Sequence, residues 1–331
     1  MPRENCRARS CCVWRQNARV ARPPAAGPGR SLSQDWLSQR ERANAASLRL
    51  LVRLAMLLGR PAGRLLLFPV CLYFLVFSVR ARVASRQYLR KVFGRSPGMA
   101  DLFRHYYSFA TVALDRMYLL RSRFKQFEIR VYGEEVLAQA RARGECCFLL
   151  GAHLGSFEAL HAYGEENGIR VTMMMFEHGT RDMNTLAKVI NPGLERTVIG
   201  MGSLDSMIKL RDRLESGESV GMLGDRGLFE GDHVLAPFFG EPAAFPTAPF
   251  RIAAMFGRPV VLMVALYRGG NRYDLHFERL VESPKLDRAT RDATLRRWVE
   301  LYARRIEHYC RLAPYNWFNF YDFWAGTGSP R

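Results

Sequence analysis

The sequence predicts an α/β fold: a mixed, largely parallel central sheet flanked by helices, preceded by an N-terminal membrane-associated helical segment. Two observations predict it. From residue 127 onwards, short β-rich runs alternate with helical patterns, which is typical of strands joined by crossover helices. Before residue 97 the chain is helical in pattern, strongly basic, and contains its most apolar stretch.

The N-terminal third carries most of the positive charge. The formal net charge is +18, of which residues 1–33 contribute +6 and residues 34–96 contribute +10. The remaining 235 residues carry only +2. Nucleic-acid binding by the folded body would need a basic groove across it, so we expect no nucleic-acid partner.

Three segments follow from composition. Residues 1–33 are rich in Arg, Pro and Gly without an apolar period, which predicts a disordered basic tail. The tail lacks the apolar core of a secretory signal, and a start at a later codon would leave the rest of the chain intact. Residues 34–96 form the predicted membrane-associated helical segment. Residues 97–331 form the predicted catalytic domain.

Within the helical segment, residues 34–58 predict a helix that Gly59 and Pro61 end. The next apolar run, residues 65–79, would span roughly 22 Å as a helix, short of the roughly 30 Å of bilayer hydrocarbon. Arginines flank this run on both sides. We therefore expect a helix lying in or dipping into one leaflet, attracted to anionic headgroups. The alternative is a buried core helix with solvated arginines beside it.

The body of the chain begins with a long predicted helix at residues 98–124, which has an aromatic stripe at helical spacing. Strands are predicted at residues 127–131, 147–150, 170–176, 197–199, 220–223, 234–238, 260–266 and 273–277. Helices are predicted at residues 133–142, 157–166, 181–189, 203–215, 247–256 and 288–310.

The most informative stretch for chemistry is a strand-to-helix turn. An apolar run at residues 148–150 leads to His153, Gly155 allows the chain to turn, and Ser156 is a helix cap. His153 and Glu158 would lie about 140° apart on one helix, so they can meet only across a turn. That turn lies at the carboxyl end of a strand, where α/β sheets bind ligands.

A histidine oriented by a carboxylate suits removal of a proton from a hydroxyl or an amine. The alternative is a capped turn with incidental polar residues.

Residues 151–158, Gly-Ala-His-Leu-Gly-Ser-Phe-Glu, resemble the His-x4-Asp/Glu signature of the lysophospholipid acyltransferase superfamily, and in particular its lipid A late acyltransferase branch (lauroyl and myristoyl transferases). Three further blocks resemble that branch in the same order. Residues 221–226 contain its aspartate, residues 236–249 its Pro-Phe-Phe-Gly and Pro-Thr-x-Pro runs, and residues 314–320 its Trp-Phe-rich signature. The resemblance covers roughly residues 34–325.

The resemblance implies a membrane-associated acyltransferase of the cell envelope, working at the cytoplasmic face of the inner (cytoplasmic) membrane. It implies transfer of a fatty acyl group from an acyl-carrier-protein or coenzyme A thioester to a lipid or glycolipid acceptor. His153 would be the general base and Glu158 its partner, with no cofactor and no metal. The acceptor, the acyl chain length and the choice of carrier stay open.

Further residues are candidates for substrate binding on the same resemblance. Asp225 and Arg226 follow another predicted strand and are expected in the same cleft. Arg226 would bind phosphate, polarise the thioester carbonyl, or form an ion pair with Asp225. Arg181 is a candidate for the oxyanion or a headgroup. The full set is Gly155, Ser156, Arg181, Asp225, Arg226, Phe245 and Thr247.

One departure from the wider superfamily concerns the acceptor. Its glycerol-phosphate branch carries Phe-Pro-Glu-Gly-Thr-Arg, whereas residues 245–249 read Phe-Pro-Thr-Ala-Pro. Because the acidic residue and the arginine are missing there, a glycerol-3-phosphate acceptor is disfavoured.

Other functions fit less well. A non-catalytic, membrane-bound lipid-binding protein of the same fold is the main alternative. A di-metal site would use the Glu-x-x-His spacings at Glu158 and Glu230, but the second contains Gly-Asp in a predicted loop. The seven cysteines form no Cys-x-x-Cys pair, which indicates reduced thiols in a cytoplasmic protein and no structural zinc site.

Overall fold

In the computed structural model, residues 45–121, 123–176, 198–201, 203–226, 232–282 and 284–325 are described, with backbone alone for residues 45–56, 58 and 176. Their strands are β1 (Glu128–Tyr132), β2 (Phe148–Gly151), β3 (Val171–Phe176), β4 (Val198–Met201), β5 (Ser219–Leu223), β6 (His233–Phe238), β7 (Glu241–Pro246), β8 (Val260–Tyr267) and β9 (Arg272–Val281). Their helices are α1 (Ala45–Phe77), α2 (Val79–Phe93), α3 (Met99–Leu119), α4 (Glu134–Ala142), α5 (Phe157–Glu166), α6 (Leu204–Glu215), α7 (Ala248–Met255) and α8 (Arg291–Leu312).

Seven of these strands form one sheet in the order β1-β9-β8-β2-β5-β3-β4. The five strands from β8 to β4 run parallel to one another. β9 is antiparallel to β8, and β1 is parallel to β9. The mixed, largely parallel sheet predicted from the sequence is confirmed.

Both faces of this sheet are buried, which explains why its central strands read as unbroken apolar runs. Along β2, Phe148 and Leu150 point into one hydrophobic cluster while Cys147 and Leu149 point into the other. The first cluster includes side chains of α6, α7 and α8, and the second includes those of α4 and α5. The central strand β2 is therefore held rigidly, and so is the turn that follows it.

One strand was not predicted. β7 contains Pro242 and Pro246, and proline argues against a strand in sequence-based reading. Among the described strands, β7 pairs with β6 alone, as an antiparallel two-stranded sheet outside the main one. Between them, Phe239 and Gly240 have positive φ angles of 52° and 79°, the pattern of a tight two-residue hairpin. The Pro-Phe-Phe-Gly run is thus the end of β6 and its turn.

The N-terminal helices pack against the body of the protein. Gly59 is non-helical (φ 78°, ψ 168°), so the predicted break at this residue is confirmed, and α1 continues beyond it. From there α1 runs antiparallel to α3. Arg60 forms a bidentate pair with the buried Asp115 of α3, with both contacts at 2.6 Å, and the rings of Phe68 and Phe103 lie 4.7 Å apart.

Beyond Gly59, α1 exposes most of its apolar surface. Residues Gly59–Phe77 form a helix of 19 residues that is long and apolar enough to cross a membrane, and only 17% of the hydrophobic window is buried. A soluble protein's core helix would be mostly buried. Compared with the predicted run of residues 65–79, the helix gains a turn that contains Arg60 and Arg64. Its exposed apolar side chains are Leu65, Leu66, Phe68, Val70, Leu72, Tyr73, Phe74, Val76 and Phe77.

Most other predicted boundaries differ from the structure by a few residues, although β9 extends to Val281 and α3 ends at Leu119, before the predicted residue 124. The helix predicted at residues 181–189 lies outside the described residues. Four cysteines fall among the described residues, and all four are free and buried, as predicted for reduced thiols: Cys71, Cys146, Cys147 and Cys310.

Candidate active site

Two polar side chains meet at the carboxyl ends of neighbouring strands. β2 and β5 are parallel, with Gly151 opposite Leu223. His153 and Asp225 each follow two residues later, so both reach the same edge of the sheet at the same height. Nδ1 of His153 lies 2.8 Å from Oδ1 of Asp225, and the His153 backbone N–H donates to Oδ2 at 3.0 Å.

Asp225 is buried and receives further hydrogen bonds from the C-terminal segment. Nε1 of Trp317 donates to Oδ2 at 3.2 Å, and Nδ2 of Asn319 donates to the same oxygen at 2.9 Å. Burial by itself would raise the pKa of Asp225. The His153 contact, the charge of Arg226 and the Asn319 hydrogen bond outweigh burial and lower the pKa well below its usual range. Asp225 is therefore an ionised carboxylate.

The hydrogen bond to Asp225 decides the tautomer of His153. Because a carboxylate only accepts, the ring proton of neutral His153 lies on Nδ1 and Nε2 carries the lone pair. Burial and the charge of Arg226 lower the pKa of His153, although Asp225 opposes them. The side chain is 29% exposed, and within the described part of the chain Nε2 makes no hydrogen bond. Nε2 is thus a neutral base open to a ligand.

The predicted contact between His153 and Glu158 is not formed. Glu158 lies in the first turn of α5, is buried, and places Oε1 2.8 Å from Nε of Arg116 on α3. The strand-to-helix turn directs Glu158 towards α3, while the neighbouring strand β5 supplies the carboxylate that reaches His153. The carboxylate on His153 belongs to Asp225, which is 72 residues away in the sequence.

Arg116 was not predicted as a site residue. Its side chain is 31% exposed, and its charge contributes to lowering the pKa of His153, so the guanidinium lies within electrostatic reach of the imidazole. The only sequence signal was a basic residue among the apolar and aromatic positions of α3. That pattern alone does not separate a site arginine from a surface one.

Gly155 and Ser156 build the turn itself. Gly155 has a φ of +73°, and a Cβ there would lie 1.7 Å from the Ala265 carbonyl oxygen, so only glycine fits. The Ser156 hydroxyl accepts from the Ala159 N–H at 3.2 Å and caps α5. Ser156 is fully buried, and its predicted substrate contact stays a prediction. Both residues hold His153 in place through the backbone.

Arg226 joins the site to the C-terminal segment. Its Nε donates to Oδ1 of Asn319 at 2.7 Å, its Nη2 donates to the Phe318 carbonyl at 3.1 Å, and its guanidinium lies over the Tyr321 ring at 5.4 Å. Asp225 contacts His153 and Arg226 acts on it electrostatically, while the predicted part of both residues in substrate binding stays a prediction. Arg226 adds a positive charge next to the imidazole.

Two other predicted substrate contacts, Phe245 and Thr247, are buried in or next to the β6–β7 hairpin. Phe245 is fully buried and packs against Phe238 and Phe323, 5.3 and 5.4 Å between ring centroids. Thr247 is buried at the start of α7, and its hydroxyl donates to Asp232. Their predicted role in substrate binding stays a prediction. Arg181 lies outside the described residues.

Trp317 holds Asp225 and is itself held from the other side. Its carbonyl oxygen lies 2.8 Å from Nε2 of His105, whose Nδ1 lies 2.7 Å from the Ser85 hydroxyl. Burial lowers the pKa of His105 to about 4, so His105 is neutral, with its proton on Nε2. The Phe318 N–H also donates to the His153 carbonyl at 2.7 Å. Sequence reasoning singled out this Trp-Phe-Asn block only as a family signature.

The two Glu-x-x-His spacings do not build a metal centre in the described part of the chain. No group of three or more His, Cys, Asp or Glu side chains comes together there. His161 lies 3.4 Å from Glu165 on its own helix, and Glu230 lies outside the described residues.

The fold and site define an α/β protein with a histidine–aspartate pair at the carboxyl edge of its sheet, where a general base would act. A model of the bacterial lipid A biosynthesis acyltransferase family matches residues 99–325, more than two thirds of the chain. The chain belongs to this family. It is therefore an acyltransferase whose acceptor is a lipid, which argues against the non-catalytic alternative.

The matched region includes His153 and Asp225 and begins at the first residue of α3, so α1 and α2 precede it. The family's pathway is membrane-associated, in keeping with the exposed apolar helix. A search of curated proteins found no match.

Proposed function

We propose that this chain transfers a fatty acyl group from an acyl-carrier-protein or coenzyme A thioester to a lipid or glycolipid hydroxyl, with His153 as the general base. The observation that carries the proposal is the 2.8 Å contact between Nδ1 of His153 and Asp225, which leaves the lone pair on Nε2 of a side chain that is partly exposed. Base catalysis needs a neutral imidazole in one fixed tautomer, and this contact provides it.

The chemistry follows from that geometry. Nε2 of His153 takes the proton of the acceptor hydroxyl as its oxygen attacks the thioester carbonyl carbon. The new ester C–O bond forms, the C–S bond breaks, and the imidazolium returns the proton to the departing thiolate. Asp225 stabilises the imidazolium while it exists. The transfer needs no covalent bond between the acyl group and the protein.

Two arginines supply the positive charge that the reaction needs. The tetrahedral intermediate carries an oxyanion, and fixed cations near it lower the barrier. Arg116 and Arg226 both act electrostatically on His153. Glu158 supports the site in this scheme by fixing Arg116, because its carboxylate is buried against the Arg116 Nε. Arg181 stays a candidate for the same oxyanion or for a headgroup.

The membrane part of the proposal concerns residues 34–96. We infer that this segment attaches the protein to the cytoplasmic face of the inner membrane. Its support is the exposed apolar surface of α1 together with the basic residues that follow it, among them the exposed Arg80 and Arg86. Apolar burial and attraction to anionic headgroups then act together. A soluble carrier thioester could reach this face directly.

The test is transfer of a radiolabelled acyl group from a carrier thioester to membrane lipid by purified full-length protein. His153→Ala should reduce transfer to background, since no other described histidine contacts Asp225 and could act as the base in its place. His308→Ala, which removes an exposed histidine of α8, is the matched control and should keep full activity. If His153→Ala folds normally and still transfers acyl groups, the general-base assignment is wrong.

A further inference from the structure

A polar cavity of about 540 Å³ has a lining that includes none of His153, Asp225 and Arg226. It opens between strand β1, the β8–β9 hairpin and residues 313–316. The Asn316 side chain, part of its wall, bonds the backbone of Tyr267, and the Asn316 carbonyl accepts from Gly155. Its charged and aromatic lining comprises Arg130, Tyr132, Tyr267, Arg268, Arg272, Asp274 and Tyr315.

The lining is positively charged, with three guanidinium groups facing one carboxylate. Asp274 lies 3.2 Å from Arg268, and Arg130 pairs with Glu128 at 2.7 Å. Within the described residues Arg272 forms no ion pair, and its Nη2 donates to the Arg268 carbonyl at 3.4 Å. Each guanidinium has five N–H donors, more than these contacts use. An anion with several oxygens, such as a phosphate, matches that donor set.

The cavity lies at the start of the apolar part of α1. Nη2 of Arg64 donates to the Tyr267 hydroxyl at 2.9 Å, and Nη2 of Arg60 donates to the Gly270 carbonyl at 2.8 Å. The next residue of the helix, Leu65, is 76% exposed. If α1 binds a bilayer, the change from arginine to exposed leucine marks the headgroup level. The cavity lies near that level, because the β8–β9 hairpin that lines it also contacts both arginines.

We propose that this cavity binds the phosphate of a phosphorylated lipid headgroup. The inference rests on the proposed membrane attachment and adds a lipid subsite apart from His153. Phosphate chemistry is shared with soluble ligands such as coenzyme A and inorganic phosphate. We assign the phosphate to a lipid because the cavity lies beside the exposed apolar helix α1. Arg272, which forms no ion pair among the described residues, makes the central contact. Arg130 and Arg268 contribute the N–H donors that their pairs with Glu128 and Asp274 leave unused.

The experiment uses full-length protein in detergent micelles and isothermal titration with short-chain phosphatidic acid. Short-chain phosphatidylcholine, inorganic phosphate and coenzyme A are titrated separately. We expect saturable, one-to-one binding of phosphatidic acid and weaker binding of the other three. Arg130→Gln and Arg272→Gln should each weaken phosphatidic acid binding by roughly tenfold or more, the effect of losing one charge-assisted contact.

The matched control is Arg296→Gln with Arg304→Gln, which removes two exposed arginines from α8. This pair should keep the affinity. An equal loss in the control and the cavity variants would mean diffuse charge attraction and would overturn the site. Tighter binding of coenzyme A or phosphate than of phosphatidic acid would overturn the lipid assignment.

His153→Ala separates this inference from the catalytic proposal. It should abolish acyl transfer and leave phosphatidic acid binding unchanged. If wild-type protein transfers acyl groups but does not bind phosphatidic acid, the proposed phosphate site is wrong and the catalytic proposal stands. If His153→Ala still transfers acyl groups and still binds phosphatidic acid, the assignment of His153 as the general base is wrong and the phosphate site stands.

Discussion

Asp225→Asn tests the central contact of the site. The carboxylate accepts hydrogen bonds from the His153 ring and backbone, from Trp317 and from Asn319. The three donors on Oδ2 hold the amide oxygen of Asn at that position, so the amide NH2 faces Nδ1 of His153. An NH2 group donates, which moves the imidazole proton to Nε2 and removes the base. We expect kcat to fall by about 10⁴-fold, equivalent to about 5 kcal/mol of activation free energy.

The assay is the same labelled acyl transfer, measured as kcat against pH. In wild-type protein, activity should fall as the pH drops through the pKa of His153, which lies below its ordinary value of about 6.5. Asp225 raises that pKa, so its loss should move the acid limb of any residual activity to lower pH. Combining Asp225→Asn with His153→Ala should lose no more than His153→Ala alone, because the two groups act as a unit.

Thermal unfolding of the variant separates catalysis from folding, and Asp212→Asn on the exposed face of α6 is the control for removing a carboxylate. The reasoning is refuted if Asp225→Asn is folded and keeps activity within tenfold of wild type with an unmoved acid limb.

Two further variants test the turn and the Arg116 pair. Gly155→Ala should lower the unfolding midpoint and the activity, since its Cβ would lie 1.7 Å from the Ala265 carbonyl oxygen. The control is Gly168→Ala, where φ is also positive but the space is open, so it should cost only about 1–2 kcal/mol of unfolding free energy. Equal losses in the two variants would contradict the close approach at Gly155. Glu158→Gln should lower kcat by about a hundredfold or less, because it disturbs His153 only through Arg116. Glu165→Gln on the same helix should have no effect, and a loss in Glu158→Gln as large as in Asp225→Asn would restore a direct pairing of Glu158 with His153.

Local patterns were enough to predict much of the architecture. Alternating strands and helices follow from hydrophobic periodicity, and the break in α1 follows from a glycine and a proline two residues apart. The turn at residues 151–158 was predicted for the same kind of reason, since Ser156 caps α5 and Gly155 permits a positive φ. These features depend on backbone preferences of a few neighbouring residues. The same backbone preferences argue against a strand at the two prolines of β7, so this strand was not predicted. It forms because it pairs with β6 in a hairpin.

The sequence by itself therefore determined that His153 stands at the end of a buried strand, with the turn needed to present it. Tertiary structure decided which carboxylate holds it. β5 lies beside β2 in the sheet, so Asp225 reaches the imidazole, while Glu158, five residues away, turns to Arg116. Strand order results from packing between distant segments, and no local periodicity carries that information. The partner of His153 is for this reason a property of the sheet.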